Sequence, residues 1–417
     1  MLHLVAVFLR HEGRVLLVRR DSPPHEGRWD VVSDAARQPS GATLALAREA
    51  AAAGVDGDPV LEAAGESFAV AGVDRSLTVH PYLFAAETRD PAPGDDRDRA
   101  WVHPPAIRGR DAVPWLAGAY DRVAPDLATV REDRDHGSAW VAARALEVLR
   151  DRAATAAEWA TTAALARDLR DARPAMAVVA NRVNRAMAGT ESPDEVRAGA
   201  EAELDAAADA TRAAASAAAD RLAGPVATCS RSGTVLAALS GSAVSVVVGE
   251  SRIGREGVAT AEALGDRATL VADAVLPGTL AGLSGRPETQ SVLLGADAVL
   301  PDGSVVNRTG SYPLALAAEA EAKPVRVAAT RDKVRAEAGV AADEREAPAD
   351  LYDGDAPVET ATPLFERVPA DLVDAVVTED GPLDPDEVAG VAADHREAAR
   401  WDGRGAGART DGNEGET

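Results

Sequence analysis

Apolar and polar positions along the first 90 residues follow the pattern of short β-strands. The apolar runs LHLVAVFLR and RVLLVRR flank the turn HEG and predict a β-hairpin. SFAVAGVDRSLTVHPYLFAAE predicts a second hairpin, and the helical spacing of Leu44, Ala47 and Ala51 predicts a helix between them. VPWLAGAYDRVAPDLATVRE predicts a closing helix, and DRDHG at 133–137 predicts a linker. We therefore expect a first α+β domain over residues 1–135.

The pattern changes twice in the rest of the chain. Residues 138–223 are rich in alanine with helical spacing, and they predict a helical subdomain with a capping box at Ser192 and Glu195. Short apolar runs then alternate with helices; the runs are PVATC, AVSVVVGE, ATLVAD, SVLLGADAVL and PVRVAAT. Such runs indicate strands buried on both faces of a parallel sheet, so residues 224–390 predict a Rossmann-like domain. The fold class is therefore α/β multi-domain, and residues 400–417 predict a disordered acidic tail.

The length and the single cysteine limit the possible classes of protein. A chain of 417 residues is too long for one core, so two or three domains are expected. Cys229 has no partner for an intrachain disulfide, which is typical of a reducing compartment. No apolar run approaches the roughly 18 residues of a membrane span, and no leader peptide is recognisable. We therefore expect a soluble, cytoplasmic protein that does not bind membranes.

The charge is strongly negative. Asp and Glu number 68 against 44 Lys and Arg, a net charge of -24, and the only lysines are Lys323 and Lys333. Such a field repels nucleic acid, so we expect no nucleic-acid partner. The acidic excess is typical of halophilic proteins, because molar salt screens charges beyond about 3 Å. High-GC codon usage alone explains the arginine and alanine content but not the excess of acids. A phosphorylated ligand would need a locally cationic pocket.

Reactive side chains follow the predicted parallel strands. They are Cys229, then Glu250 and Arg252, then Asp273, then Asp297. Ligands bind at the carboxyl ends of such strands, so we expect these side chains to converge. In SRSG the side chains of Ser230, Arg231 and Ser232 stand at a helix start, which favours phosphate binding, with charge added by Arg231 and Arg252. Taken one at a time, these residues also have structural interpretations. Cys229 could be a buried apolar side chain, the aspartates could be helix caps, and Glu250 and Arg252 could form a surface ion pair.

The ordered motifs TCSRSGTV, GESRIGREG, ATLVADAV and GADAVLPDGSVVNRTGSYPLA resemble the sugar-phosphate isomerases related to the alpha, beta and delta subunits of initiation factor 2B. ARPAM and VTEDG extend the resemblance over about residues 140–385. It implies that Cys229 and Asp297 are the catalytic pair of an aldose-ketose isomerase. A thiolate and a carboxylic acid suit this reaction when their pKa values are pushed apart. We also expect such a thiolate to be modified rapidly near neutral pH and to be protected by a bisphosphate.

The resemblance also implies phosphate contacts, with departures from the family pattern. Arg152 matches an Arg-Gly-Ala segment in which Ala153 replaces glycine, and a methyl group there hinders close backbone approach to phosphate. Asn307 and Arg308 match Asn-Lys, with arginine keeping the charge but not the geometry. Thr228 stands where a histidine often precedes the catalytic cysteine.

The function that the resemblance implies is conversion of ribose 1,5-bisphosphate to ribulose 1,5-bisphosphate in nucleoside and AMP breakdown. It implies no cofactor, admits a nucleotide activator such as AMP, and suggests a homo-oligomer, either a dimer or a hexamer. Two alternatives stay open. One is a non-catalytic regulatory or nucleotide- or sugar-phosphate-binding protein like the translation subunits, and the other is a methylthioribose-1-phosphate isomerase.

The opening stretch VAVFLRHEGRVLLVRR, with GRWDVVSD, resembles the start of a Nudix hydrolase domain. That family holds Mg²⁺ with several glutamates on a loop and helix. The matching segment keeps only Glu49, because Ala52 and Ala53 replace two glutamates and the position of another falls near Ser40. The resemblance therefore implies a degenerate Nudix-like domain without hydrolase activity or bound metal. A nucleotide sensor, a dimerisation surface and a vestige are equally compatible with it. The histidines show no spacing typical of a zinc site.

Overall fold

The structure, a computed structural model, describes residues 2–36, 43–71, 76–134, 136–252, 254–283, 288–339, 345, 347, 349 and 351–405. The chain forms two compact units. The first unit contains residues 1–128 and 150–156, and the second contains residues 129–149 and 157–417. No helix among the described residues is long and apolar enough to cross a bilayer.

The first unit is built on an eight-stranded mixed sheet. Its strands are β1 (Leu2–His11), β2 (Arg14–Arg19), β3 (Trp29–Asp30), β4 (Val32–Ala36), β5 (Val60–Ala64), β6 (Phe68–Ala71), β7 (Ser76–Ala85) and β8 (Arg99–Val102), with helix α1 (Leu44–Ala52) after β4. Strand β1 is parallel to β7 and antiparallel to β2 and β4. Both predicted hairpins are confirmed as the β1–β2 and β6–β7 pairs.

Alternate residues of β1 face two different cores. Leu4, Ala6 and Phe8 pack into one core, and Val5 and Val7 pack into the other. This burial on both faces explains why the strand is an uninterrupted apolar run. The Nudix-like character of this unit stays a prediction; Glu49 lies on the exposed side of α1, and Ser40 is outside the described residues.

The predicted closing helix is two short helices, α2 (Leu116–Tyr120) and α3 (Leu127–Glu132). Pro125 lies between them, where its ring interrupts helical hydrogen bonding. Asp135 of the predicted linker lies outside the described residues.

Four helices follow along the chain: α4 (Ser138–Ala153), α5 (Trp159–Arg170), α6 (Ala177–Met187) and α7 (Pro193–Ala219). The predicted capping box of Ser192 and Glu195 is present at the start of α7. The separation of these helices as a helical subdomain stays a prediction, but helices α5 to α7 belong to the second unit. The reason is packing, because Ala215 and Ala218 of α7 are buried in the same core as the parallel strands.

The rest of the second unit contains ten strands and four helices. The strands are β9 (Val226–Thr228), β10 (Val246–Gly249), β11 (Ala268–Val271), β12 (Ser291–Leu294), β13 (Ala298–Val299), β14 (Val305–Arg308), β15 (Val325–Ala328), β16 (Phe365–Val368), β17 (Ala375–Thr378) and β18 (Gly381–Leu383). The helices are α8 (Gly233–Ser240), α9 (Glu256–Leu264), α10 (Ser311–Ala320) and α11 (Pro385–Ala398).

A seven-stranded sheet forms the centre of the second unit. Its order is β11-β10-β9-β12-β15-β17-β18, and all pairs except β17–β18 are parallel. When the six parallel strands are numbered by their order along the chain, their order across the sheet is 3-2-1-4-5-6, which is the doubly wound pattern. The direction of winding reverses between β9 and β12. Strands β13, β14 and β16, which follow β12 in the chain, form a separate antiparallel sheet.

The end of the chain differs from the predicted disordered tail. Residues Ala399–Gly405 form a 3-10 segment. Trp401 is buried, and Asp402 accepts hydrogen bonds from Arg167 and Arg170 of α5. Trp401 and Asp402 are therefore held by packing and charge, and the remaining predicted tail, 406–417, is outside the described residues.

Candidate active site

The predicted catalytic residues follow the two strands at the reversal of the sheet. Cys229 comes directly after β9, and Asp297 comes three residues after β12. Open α/β sheets bind their ligands at this point, because the loops diverge there and leave a crevice. Gly295 keeps the two loops close, since a Cβ at that residue would lie 2.7 Å from Ser232 Oγ.

A pocket of about 660 Å³ opens at this place in the second unit. We call it the switch-point pocket. Its lining includes residues at the starts of α4, α8 and α9, the end of β14, and the loops after β12 and β15. Its walls include Asp297, Asn307 and Lys333.

The switch-point pocket is cationic although the protein is acidic. Its described lining contains five cationic side chains, Arg134, Arg231, Arg255, Arg308 and Lys333, against two acidic ones, Glu256 and Asp297. Three helices also begin at its wall, and their first backbone N–H groups have no acceptor within the helix. Helix N-termini together with arginines bind phosphate groups. The cationic pocket expected from the sequence is therefore present.

Six of the ten predicted site residues line the switch-point pocket: Ser230, Arg231, Ser232, Asp297, Asn307 and Arg308. The other four, Cys229, Arg152, Glu250 and Arg252, are outside its described lining. Arg152 is exposed and belongs to the first unit. The Arg252 backbone donates to Asp273 at 2.6 Å. Of the strand ends expected to converge, the loops after β9 and β12 line the pocket, whereas Glu250 and Arg252 after β10 and Asp273 after β11 are outside its described lining.

The loop after β10 supports the pocket indirectly. Asp273 accepts the backbone N–H of Ser251 at 2.8 Å, and Ser251 Oγ accepts the backbone N–H of Ser230 at 2.6 Å. Ser230 and Ser251 both adopt left-handed backbone conformations, with φ of 62° and 56°. Such conformations are unfavourable for residues other than glycine and persist where surrounding bonds enforce them. Asp273 thus acts on the pocket by fixing the backbone of Ser230.

Cys229 is held as a neutral thiol. Its side chain is 5% exposed, and its Sγ lies 3.7 Å from Ser311 Oγ. The pKa of the thiol is raised to about 12, chiefly by burial; the hydrogen bond with Ser311 opposes the shift, and Glu366, Asp273 and Glu256 add to it. This differs from the rapidly modified thiolate expected from the sequence, because burial and like charge disfavour a thiolate.

We therefore expect slow alkylation of Cys229 in the unliganded protein. At about pH 8, iodoacetamide is expected to react about a thousandfold more slowly with the folded than with the unfolded chain, because the thiolate fraction falls with the pKa shift. The only cysteine of the chain makes mass spectrometry a direct assay. The same chain in guanidinium is the control, and rates within tenfold of each other would contradict a buried neutral thiol.

Lys333 is a pocket residue that is absent from the site predicted from the sequence. It is 6% exposed, and its Nζ donates to the carbonyl of Ala296. Burial lowers the pKa of Lys333, while the neighbouring Asp297 charge raises it and Arg182 lowers it. Lys333 ends a 3-10 turn after β15, so its position after the fifth predicted strand was an available signal.

The turn that carries Lys333 is held by a buried ion-pair network. Asp332 is 5% exposed and pairs with Arg182 at 2.8 Å and with Arg185. Asn181 Nδ2 donates to the carbonyls of Asp332 and Val334 at 2.8 and 2.7 Å. Helix α6 therefore fixes both sides of Lys333.

Removing Asp332 should destabilise the second unit strongly. Asp332→Ala leaves Arg182 and Arg185 without their shared carboxylate, which costs about 3–5 kcal/mol for a buried pair. Asp380→Ala is the matched control, because its partner Arg331 is 36% exposed and such surface pairs contribute about 0–1 kcal/mol. Denaturant unfolding of both variants measures the difference. Equal losses would contradict the proposed importance of the buried network.

The effect of Asp332→Ala should depend on pH. Burial raises the pKa of Asp332, but the charges and hydrogen bonds of Arg182 and Arg185 lower it further, to well below its usual value. A carboxyl group whose pKa is lowered by folding stabilises the fold at pH values above its unfolded-state pKa of about 3.9. This stabilisation is lost as the pH falls toward the folded-state pKa. The difference between wild type and variant should be constant above about pH 5 and shrink below pH 4.

Arg308 lies between an acid and an aromatic ring. It forms an ion pair with Glu256 at the start of α9, and its guanidinium lies 5.3 Å from the centroid of the Phe365 ring. Both Arg308 and Glu256 line the pocket, so the departure from lysine keeps a cation in the wall. The Glu256 carboxylate and the Phe365 ring orient the planar guanidinium, which suits two-point binding of an oxyanion.

The fold and the site define an α/β protein with a cationic pocket at the reversal of a doubly wound sheet. A profile of the Initiation factor 2 subunit family matches residues 134–385, and the chain belongs to this family. The crystal structure of the Pyrococcus horikoshii OT3 translation initiation factor eIF-2B superposes with a TM-score of 0.55 at 24% identity, covering 62% of this chain and 94% of that one. This likeness shows the shared fold.

Two curated relatives are enzymes by name. A ribose 1,5-bisphosphate isomerase of Haloferax volcanii is 33% identical over 159 residues, which cover 36% of this chain and 47% of the relative. A methylthioribose-1-phosphate isomerase of Nostoc punctiforme is 34% identical over 108 residues, covering 24% of this chain and 30% of the relative. The chain therefore matches less than half the length of these relatives. Sugar-phosphate isomerases are thus among its homologues.

Proposed function

We propose that the second unit is an aldose-ketose isomerase that converts ribose 1,5-bisphosphate to ribulose 1,5-bisphosphate. The observation that carries the proposal is the switch-point pocket, which gathers five cations around Asp297 in a protein of net charge -24. A cationic pocket in an acidic protein favours an anionic ligand, and a sugar bisphosphate carries an anion at each end. The isomerase homologues support the same reaction class.

The chemistry assigns complementary roles to the two predicted catalytic residues. Asp297 is the base that removes the proton from C2, while the Cys229 thiol protonates the ring oxygen as the C1–O bond breaks. The result is an enol phosphate, a protonated Asp297 and a thiolate. Asp297 then returns its proton to C1, and the C2 hydroxyl proton passes to the thiolate, which leaves the ketose and restores both residues. The raised pKa of Cys229 favours a thiol as the starting state.

The pocket wall favours a second phosphate over a thioether. Arg134 and His136 precede α4 in the pocket wall. Arg308 is the last residue of β14, and Lys333 comes from the turn after β15. A methylthio group would place an apolar sulfur among charged side chains, which costs desolvation without a compensating hydrogen bond. We therefore prefer the bisphosphate to methylthioribose 1-phosphate as substrate.

A non-catalytic binding protein is the second candidate. The observation that favours it is the position of Cys229, which is buried, neutral and outside the described lining of the pocket. In that case the pocket would bind a sugar phosphate or nucleotide without turnover. The isomerase interpretation requires the thiol to reach the bound sugar. It therefore also requires the structure around Cys229 to change when the ligand binds.

The deciding experiment compares two sugars at high KCl. Ribose 1,5-bisphosphate and 5-methylthioribose 1-phosphate are supplied separately, and ketose formation is measured. The bisphosphate is expected to have the higher kcat/KM by at least about tenfold, the effect of one charge-assisted contact. A preference for the thioether sugar would assign the methylthioribose activity. Tight calorimetric binding of the bisphosphate without conversion of either sugar would assign the non-catalytic function.

A further inference from the structure

A hydrogen-bond chain lies on the buried side of the switch-point pocket. Ser311, the first residue of α10, is 0% exposed. Its Oγ lies 2.8 Å from Asn307 Nδ2, 2.7 Å from the Arg308 carbonyl oxygen and 3.7 Å from Cys229 Sγ. Asn307 and Arg308 line the pocket, whereas Cys229 does not belong to its described lining. Ser311 therefore connects the thiol to the wall that would contact the ligand.

The chemistry of the partners assigns each proton in this chain. A carbonyl only accepts and an amide nitrogen only donates, so Ser311 donates its hydroxyl proton to the Arg308 carbonyl and accepts from Asn307. One lone pair of the Ser311 oxygen remains, and the sulfur, 3.7 Å away, is close enough to donate to it. The neutral Cys229 thiol therefore donates its S–H to Ser311.

A thiolate would require the opposite arrangement. It has no proton to donate, and the Glu366, Asp273 and Glu256 carboxylates around it are unfavourable to a second negative charge. The hydroxyl of Ser311 can turn from the Arg308 carbonyl to the sulfur and donate to it. Ser311 is thus placed to serve both protonation states of Cys229.

We propose that Ser311 is a positioning residue that orients the Cys229 proton in the resting protein and stabilises the thiolate formed when that proton is transferred. The inference rests on the proposed function, in which the thiol protonates the ring oxygen of the sugar. The S–H bond breaks, the electron pair stays on sulfur, and the Ser311 hydroxyl then donates to it. When the C2 hydroxyl returns a proton to sulfur, the original bond to the Arg308 carbonyl re-forms.

The test uses three variants of the protein, in each of which Cys229 is the single cysteine. Ser311→Ala removes the hydroxyl, Ser311→Thr keeps it, and Ser291→Ala is the matched control. Ser291 is also buried, lies at the start of β12, and its Oγ has no hydrogen-bond partner among the described residues. The first readout is the rate of iodoacetamide alkylation of Cys229 at about pH 9 without ligand, which is proportional to the thiolate fraction. The second readout is kcat and KM for ribose 1,5-bisphosphate.

Ser311→Ala is expected to slow alkylation about tenfold, because the thiolate loses a hydrogen bond to a charged group. The substitution also removes an atom beside the sulfur, so easier access cannot produce a slower rate. We expect kcat to fall by a similar factor with KM unchanged, Ser311→Thr to restore both, and Ser291→Ala to change neither.

Two results would overturn the role of Ser311. One is an alkylation rate that is unchanged or faster in Ser311→Ala, and the other is a raised KM with unchanged kcat. The alkylation readout needs no turnover. If wild type proved inactive while Ser311→Ala still slowed alkylation, the proposed reaction would fail and the hydrogen-bond role of Ser311 would stand.

Discussion

Replacing Asp297 with asparagine is expected to lower kcat by at least about a thousandfold, because in the proposed mechanism Asp297 is the base that takes the C2 proton. Binding of a bisphosphate should persist or tighten, since the pocket loses a negative charge. The fold should tolerate the change, because the backbone N–H of Asp297, which donates to Val306 at 2.9 Å, is unaltered. Kinetics and calorimetry on the same preparation separate the two effects.

Asp302→Asn is the matched control for this variant. Asp302 lies five residues further along the chain, between β13 and β14, but it pairs at the surface with Arg367 and its side chain is 54% exposed. It should keep wild-type kcat. A kcat within tenfold of wild type for Asp297→Asn would remove Asp297 from the chemical step.

Replacing Lys333 with methionine is expected to weaken bisphosphate binding about tenfold to a hundredfold. The side chain keeps its length but loses the charge and the hydrogen-bond donors that a buried phosphate contact requires. Stability should change little, because the methionine avoids the cost of a buried ammonium while the Ala296 carbonyl loses its donor. The weaker binding is therefore expected without unfolding.

Lys323→Met is the natural control, since Lys323 is the only other lysine in the chain. Lys323 follows the C-terminal end of α10 and pairs with the half-exposed Glu288. It is outside the described lining of the pocket. Titration calorimetry with ribose 1,5-bisphosphate should give the wild-type Kd for Lys323→Met. Equal affinities for the two variants would show that Lys333 does not contact the ligand.

The parallel sheet and its reactive edge could be predicted from short-range patterns. Unalternating runs of Val, Leu and Ala mark strands β9, β10 and β12, because both faces of these strands are buried. The run of β11 is equally apolar, but β11 is an edge strand and its Leu270 is exposed. The residues after the strands then identify the loops that form the pocket. The strand ends therefore indicate Ser230 and Asp297, whereas Asn307 is indicated only by the family resemblance.

Contacts made by distant segments could not be predicted in this way. Cys229 is neutral because it packs with Leu276 and other core residues. No local pattern around the cysteine reports that burial. Arg134 and His136 reach the pocket from the segment before α4, which the sequence pattern assigns only to a linker. Lys333 depends on Asp332 meeting α6, an interaction between residues about 150 apart in the chain.

The central claim is that the switch-point pocket isomerises a sugar bisphosphate using Asp297 and Cys229. Its most direct test is turnover of ribose 1,5-bisphosphate by the wild-type protein at high KCl, followed by the appearance of the ketose carbonyl in ¹³C NMR. We expect catalysed formation of ribulose 1,5-bisphosphate, with loss of turnover but not of binding in Asp297→Asn. Tight binding of the bisphosphate by wild type without any ketose would contradict the claim.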